Sequence, residues 1–293
     1  MKAVALENVD KAIARGSHYA GQQFLPKLPA IVALDGIGEL EDGRLVGFGG
    51  IRPPYGAIAE KVVVPKAYYV PIPEGIDAAV AASIPGPTLT ALFPLRWGAK
   101  LQPGETVLVN GATGFTGQLA VQVAKLLGAA RVVGTGRNEE ALQSLHELGA
   151  DTVIDLKQSD EKIAEDFTQA AGESGYQVIL DFLWGHPTQL LIETLVPHGL
   201  SFAKHRIRLV QIGESAGSTI SLSAAALRTS GLEMMGAGAA LTPEAVTEGT
   251  HQAWEWIKTG ALQFEIERVP LKDVDNAWKR SDNLHGKRIV ILP

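Results

Sequence analysis

The sequence predicts an α/β protein built on a doubly wound parallel sheet and accompanied by a smaller β-rich part. Three observations carry this. From residue 105 onward, short β-branched runs alternate with helical stretches. Those runs are apolar along their whole length, as strands covered by helices on both faces must be. Residues 1 to about 85 instead hold short β-like runs among Gly and Pro turns, with little helical period.

Taken in order, Thr106-Val107-Leu108-Val109-Asn110 reads as a strand and Gln118 to Leu127 as a helix. In that helix Gln118, Gln122 and Lys125 form one narrow polar stripe, while apolar residues cover the rest; such a helix packs on a sheet. Gly128 caps it, and Arg131-Val132-Val133-Gly134-Thr135 is the second strand. Asn138 caps a helix through Leu148 that Gly149 closes, Thr152-Val153-Ile154 is the third strand, and Asp160 to Ala171 the next helix. Gln177-Val178-Ile179-Leu180-Asp181, a helix from Pro187 to Val196, Arg208-Leu209-Val210-Gln211-Ile212 and Leu232-Glu233-Met234-Met235 complete the alternation. In the first part, Ala30-Ile31-Val32-Ala33 and Glu60-Lys61-Val62-Val63-Val64 are strand-like. The tail returns to that texture: Gln263-Phe264-Glu265-Ile266 and Arg288-Ile289-Val290-Ile291 flank a helical Leu271 to Ser281. The expected division is therefore 1–87 with 241–293 for the β-rich part and 88–240 for the sheet.

With 293 residues, 46% of them hydrophobic and 20% charged, the chain has enough apolar surface for a sizeable core and too little charge for disorder. Zero cysteines exclude disulfides, thiol nucleophiles and thiolate metal sites, so any metal would rest on His and carboxylates. A net charge of −6 without a Lys/Arg run argues against nucleic acid as a partner. The uncharged stretch Ala78 to Leu95 is broken by Pro85, Pro87 and Pro94, which argues against a membrane span. No leader is recognised before Lys2, and a cytoplasmic location is the expectation.

Gly111-Ala112-Thr113-Gly114-Phe115-Thr116-Gly117 lies between a strand and a helix, the one context in which spaced glycines have a phosphate-binding rationale. They permit a tight turn, close approach of backbone N–H groups to a pyrophosphate, and close packing of helix on strand. The spacing is G-x-x-G-x-x-G, which leaves the phosphate geometry open. An NAD site usually ends its second strand with an acid for the ribose 2′-hydroxyl. Here the strand ends Gly134-Thr135-Gly136-Arg137-Asn138, without a carboxylate. Arg137 offers a permanently charged fork to a 2′-phosphate, so NADPH is predicted over NADH. The alternative is Arg137 as an ordinary solvated residue at a helix start.

Gly213-Glu214-Ser215-Ala216-Gly217 matches the G-x-S-x-G nucleophile elbow of hydrolases. An elbow needs a helix directly after its serine, and Ser218-Thr219-Ile220-Ser221-Leu222 is poor helix material; a strand-end loop is the expectation. The glycine string is also similar to that of short-chain reductases. No tyrosine here has a lysine four residues on, so their Tyr-Lys pair is missing.

The chain resembles the medium-chain dehydrogenase/reductase superfamily in its zinc-independent quinone oxidoreductase branch. The resemblance is carried by Tyr55-Gly56-Ala57-Ile58-Ala59-Glu60, by Ala81-Ala82-Ser83-Ile84-Pro85 leading to Leu89-Thr90-Ala91, and by Leu101-Gln102-Pro103-Gly104-Glu105. The glycine motif, Leu148-Gly149-Ala150-Asp151 and the ending Gly286-Lys287-Arg288-Ile289-Val290 add to it. It implies a GroES-like β domain, a Rossmann domain, a cofactor cleft between them and a homodimer joined at the last Rossmann strand. Met1 to Asp10 resembles the family segment after its opening strands, so the GroES-like domain is expected to be N-terminally shortened.

Zinc-dependent relatives carry Gly-His-Glu where this chain has Ala33-Leu34-Asp35; leucine cannot bind a metal, so no metal site is expected. The resemblance then implies NADPH-dependent hydride transfer to a small-molecule quinone or enone, with water or a side chain returning a proton. The alternative is a catalytically silent NADPH-binding sensor or partner-binding protein. For positions, it implies backbone contacts from Thr113, Gly114, Phe115, Thr116 and Gly117 and 2′-phosphate contacts at Arg137 and Asn138. It adds cleft contacts from Thr90, Leu183, Ile212 and Gly213, and Gly111 joins as the turn of the motif. Tyr19, after Arg15-Gly16-Ser17-His18, is the candidate for orienting a carbonyl or supplying a proton, with Tyr55 as substitute.

Overall fold

Backbone contacts group Met1–Pro85 with Phe264–Pro293 as one unit and Gly86–Gln263 as a second. The computed structural model describes residues 1–18, 21–24, 28–197, 201–203, 205–281, 284 and 286–293, with backbone only for Gln22 and Phe24.

In the first unit, β1 (Val4–Ala5) leads to α1 (Asn8–Ala14), where the Glu7 and Asp10 side chains form a reciprocal capping box, and to the short α2 (Gly21–Phe24). Next come β2 (Gly36–Glu39), β3 (Leu45–Phe48) and β4 (Tyr69–Pro71), an antiparallel three-stranded sheet, and α3 (Ala78–Ser83), capped by the Asp77 carboxylate. The runs 30–33 and 60–64, expected as strands, are irregular. Ile31 and Ala33 do bond across to Pro54 and Ala57. A ladder fails there because Ala33 takes φ +72° and Gly56 presses so close that a Cβ on it would lie 2.6 Å from the Ile31 carbonyl carbon.

The second unit opens with α4 (Pro85–Phe93), whose Pro85 and Pro87 sit in the first turn, where no N–H is needed for the helix; a wide turn follows at Pro94–Gly98. The prolines do not break the stretch as expected: Ala78–Gly98 runs helical with one bend at Ile84 and a change of winding at Pro94, is long and apolar enough to cross a membrane, and is 61% buried within the protein. There follow β5 (Thr106–Asn110), α5 (Phe115–Leu126), β6 (Arg131–Gly136), α6 (Glu139–Glu147), β7 (Thr152–Asp155) and α7 (Asp160–Ala171). Then come β8 (Val178–Asp181), α8 (Gly185–Thr194), β9 (Ile207–Gln211), α9 (Ala224–Thr229), β10 (Leu232–Gly236) and α10 (Pro243–Lys258). All six strands pair in parallel in the order β10-β9-β8-β5-β6-β7. This is the Rossmann arrangement, and the order reverses between β5 and β8. Leu108, Val133, Ile154, Phe167, Ile179 and Leu209 anchor its core.

The boundary expected at 240 falls instead at Gln263, because α10 belongs to this unit. Thr242 caps it, Pro243 opens it, Ala245 packs with Phe93 and Ala240, and Gln263 exchanges two hydrogen bonds with Gln122. The chain then returns to the first unit with β11 (Ile266–Pro270), α11 (Val274–Arg280) and β12 (Arg288–Leu292). β12 pairs antiparallel with β1 and parallel with β11, over a core of Leu6, Val269, Ala277, Ile289 and Ile291. A GroES-like β-rich unit and a Rossmann unit therefore make up the chain.

Candidate functional site

The turn from β5 into α5 is tightly constrained. Gly111 leaves the strand at φ +95°, and a Cβ on it would lie 2.8 Å from Leu183 Cδ2. Gly117, in the first turn of α5, has no room for a side chain: a Cβ would lie 2.7 Å from Ala112 Cα. Gly114, the N-cap, faces open space on its Cβ side. The three glycines thus divide the labour into a turn, an open approach and the packing of helix against loop.

Hydrogen bonds decide which amides a ligand could meet. Gly111 N–H donates to Thr135 Oγ1 (2.9 Å) and Ala112 N–H to the Thr135 carbonyl (2.7 Å). Both are used inside the protein, so Gly111 is a pivot and not a phosphate donor through its amide. A pyrophosphate would be met by the amides from Thr113 to Gly117, at the positive end of the twelve-residue α5. That turn lies at the β5/β8 order reversal, where open α/β sheets bind ligands. Gly136 brings β6 against it: a Cβ there would lie 2.6 Å from Thr113 Oγ1.

Beyond β6, Arg137 is exposed and makes no hydrogen bond or ion pair among the described residues. Asn138 Oδ1 accepts from Ala141 N–H (2.8 Å) as the cap of α6. A groove of about 660 Å³ beside it is lined by Asn138, Glu139, Glu140 and, from the turn after β7, Lys157. The strand end carries no carboxylate, but two acids follow within three residues of Arg137.

The remaining expected cofactor contacts of this unit gather at the same carboxyl edge, apart from Thr90 on α4, whose hydroxyl donates to Gly86 O (2.9 Å). Leu183 follows β8 and touches the space of Gly111; Ile212 and Gly213 follow β9, their N–H groups donating to the Asp181 carbonyl (2.8 and 3.1 Å). Ser215 lies in a turn with no helix until Ala224, and its hydroxyl donates to Phe182 O (3.0 Å), as a strand-end loop requires. Sequence reasoning passes over the buried quartet Asn110, Thr135, Asp181 and Thr188, each with no exposed surface. For three of the four the signal is present all the same: Asn110, Thr135 and Asp181 are polar side chains at or near the ends of otherwise apolar strands, whereas Thr188 lies in α8.

In the first unit, Tyr19 lies outside the described residues, and Tyr55 is 68% exposed. Around Asp35 this unit has a charge cluster with Asp10, Glu7 and Arg288. Burial, with Glu7 nearby, raises Asp10 to about 7 and Asp35 to about 6, and the Arg288 guanidinium opposes both shifts. Arg288 Nη1 donates to Leu6 O (3.0 Å) and lies 3.5 Å from Glu7 Oε1. Among the described residues no group of three or more His, Asp or Glu side chains could hold a metal.

Residues 116–247 match the family model described as zinc-binding dehydrogenase. The chain is 26% identical over 282 residues to a quinone oxidoreductase of Pseudomonas aeruginosa, covering 91% of this chain and 81% of that one. It is 28% identical over 196 residues to quinone oxidoreductase-like protein 2 of Bos taurus, of which it spans about half, 52%, against 67% of its own length. In structure it is similar to the quinone oxidoreductase of Thermus thermophilus, solved also in complex with NADPH. There the TM-score is 0.76 at 27% identity, over 100% of this chain and 89% of that one. The Escherichia coli quinone oxidoreductase complexed with NADPH gives a TM-score of 0.81 at 22% identity, over 100% and 90%.

Proposed function

The chain belongs to the medium-chain dehydrogenase/reductase superfamily, in its quinone oxidoreductase-like branch, and from that premise we propose that it is a zinc-independent, NADPH-dependent oxidoreductase acting on a quinone or an α,β-unsaturated carbonyl. The observation that carries this is the glycine turn at the sheet's order reversal, with an exposed, unpartnered Arg137 at the neighbouring strand end. A pyrophosphate fits amides that α5 already orients, and a 2′-phosphate fits a guanidinium that no described acid neutralises. When bound, NADPH would supply the hydride. This chain's residues bind and orient it: Thr113 to Gly117 hold phosphate, Arg137 selects the phosphorylated ribose, and Leu183, Ile212 and Gly213 line its path along the sheet edge.

Without a Lewis acid, an alcohol has no means of activation here, so reduction of an already polarised acceptor is the chemistry this residue set favours. Tyr19, with Tyr55 as substitute, or water returns the proton. β10 ends the six-stranded sheet with an open edge, and a homodimer joined there accords with the resemblance.

The test is titration of NADPH and NADH into the parent and an Arg137→Ala variant, beside NADPH consumption with a panel of quinones and 2-alkenals. NADPH should bind more tightly than NADH. The variant should lose roughly tenfold to a hundredfold of NADPH affinity and none for NADH, the scale of one charged hydrogen bond. An unchanged preference removes the Arg137 role; binding of neither dinucleotide removes the whole reading.

A further inference from the structure

The carboxyl edge of the Rossmann sheet holds a chain of hydrogen bonds that an apolar core would not need. Thr135 Oγ1 accepts the Gly111 N–H (2.9 Å) and donates to Asn110 Oδ1 (2.8 Å). Asn110 Nδ2 donates to Asp181 Oδ1 (3.0 Å) and Thr188 Oγ1 (3.2 Å), and Thr188 Oγ1 donates to Asp181 Oδ2 (2.8 Å). Asp181 Oδ1 also accepts the N–H groups of Leu183 (3.1 Å) and Trp184 (3.2 Å). Trp184 is held at φ +54°, a strained conformation that surrounding contacts must enforce. Burial raises the Asp181 carboxyl, while these donors oppose the shift. Buried polar groups are costly unless satisfied, so a network threaded through three strand ends gives direction more than stability.

Its ends fix what that direction is. At one end it turns the Gly111 amide inward and sets the pivot of the glycine turn. At the other, the Asp181 side chain holds Leu183 and Trp184, while its main-chain carbonyl holds Ile212 and Gly213. Leu183 closes the loop by packing on Gly111. We propose that Asn110, Thr135, Asp181 and Thr188 form one positioning network that locks the pyrophosphate turn to the β8–α8 and β9–α9 loops as a single preformed cofactor edge. None of the four needs to touch the dinucleotide. The inference rests on the NADPH reading above and assigns the residues that hold that site in shape.

The test uses the full chain with Thr188→Val, which keeps the side-chain shape and removes the hydroxyl farthest from the glycine turn, beside Thr188→Ser. The network shapes what both dinucleotides share, so Thr188→Val should weaken NADPH and NADH by the same factor, roughly threefold to tenfold, and Thr188→Ser should restore both. Arg137→Ala, by contrast, should move NADPH alone. Thr135→Val with Thr135→Ser carries the same prediction from the other end if Thr188→Val does not fold. Parental affinities in a folded Val variant with a lowered melting temperature would mean a purely structural role and overturn the proposal while leaving the cofactor reading standing. A parent that binds neither dinucleotide overturns both.

Discussion

The two units bury polar groups in opposite ways. The Rossmann unit closes its buried quartet into a directed chain in which one carboxylate, Asp181, is met by four N–H or O–H donors. The GroES-like unit gathers Asp10 and Glu7 from the start of α1 with Asp35 from just before β2, near the Arg288 guanidinium of β12. The first arrangement fixes a shape; the second stores a response to protons. The contrast teaches that a cofactor edge is built by saturating donors and acceptors, whereas an under-neutralised acid cluster leaves stability dependent on pH.

The largest effect should come from filling the glycine turn. Gly117→Val places side-chain atoms against the Gly111–Ala112 backbone, which cannot yield as a flexible side chain can. Such overpacking should cost about 3 kcal/mol or more and abolish dinucleotide binding. Gly114→Ala, whose Cβ meets open space, should leave the melting temperature within about a degree and weaken binding only. If thermal unfolding shows equal losses for the two, the division of roles among these glycines is wrong.

The next effect also lies in the Rossmann unit. Arg208 Nη1 donates to Ala99 O (2.7 Å), Nε to Gln177 O (3.2 Å), and Nη2 pairs with Glu105 (2.5 Å), with both side chains under a fifth exposed. Arg208→Ala leaves Glu105 without its cation and Ala99 O without its donor, while Gln177 O keeps the residue-208 backbone N–H (3.0 Å), and should cost about 2–3 kcal/mol, below the range for a fully buried pair. Arg208→Lys should recover less than half, because a point charge cannot serve the spread acceptors. Full recovery in denaturant titrations would argue that charge alone matters there.

The GroES-like unit should answer to pH instead. Asp10 is raised from 3.8 to about 7 by burial and then by Glu7, so the folded state takes up a proton between those values. Stability from this group is complete below about 4 and is lost as pH rises through about 7. Asp10→Asn keeps an acceptor for the Glu7 N–H and removes the ionisation; Glu7, Asp35 and Arg288 still face the site. The variant should gain about 2 kcal/mol on the parent at pH 8 and nothing below pH 4, part of the shift being shared with Asp35. Urea titrations with the same difference at both pH values would rule out the proton-linked account.

The contrast also governs how much can be read from the sequence. In the Rossmann unit, Thr106 to Asn110 and Asp160 to Ala171 appear with the predicted bounds, because apolar runs and caps such as Asn138 encode them locally. The helix Pro243–Lys258 escapes a reading that weighs the texture of the tail above cap chemistry, although Thr242 and Pro243 announce it. In the GroES-like unit, 30–33 has strand composition yet no ladder, since Ala33 at positive φ and the approach of Gly56 are set by packing from distant sequence. At the site, the phosphate turn and Arg137 are legible from spacing. The diversion of the Gly111 amide to Thr135 is not, because it depends on strand register.

The smallest effect sharpens the comparison by reversing its sign. Asp151, between α6 and β7, is also an acid at the end of a loop, and burial alone would raise it; the Lys125 ammonium (2.7 Å) and the Val132 N–H (2.7 Å) outweigh that and hold it below the ordinary value. Its contribution is therefore present above the unfolded pKa near 3.8 and is lost as pH falls through the lower folded value, the opposite of Asp10. The pair is exposed, 30% for Lys125 and 42% for Asp151, so solvent screening limits it to about 0.5–1 kcal/mol. Asp151→Asn should lose that much at pH 7 and nothing at pH 2, and 1 M salt should shrink the difference. A loss that grows on acidification would mean that both units respond to protons alike, and the distinction between a saturated edge and an acid cluster would fall with it.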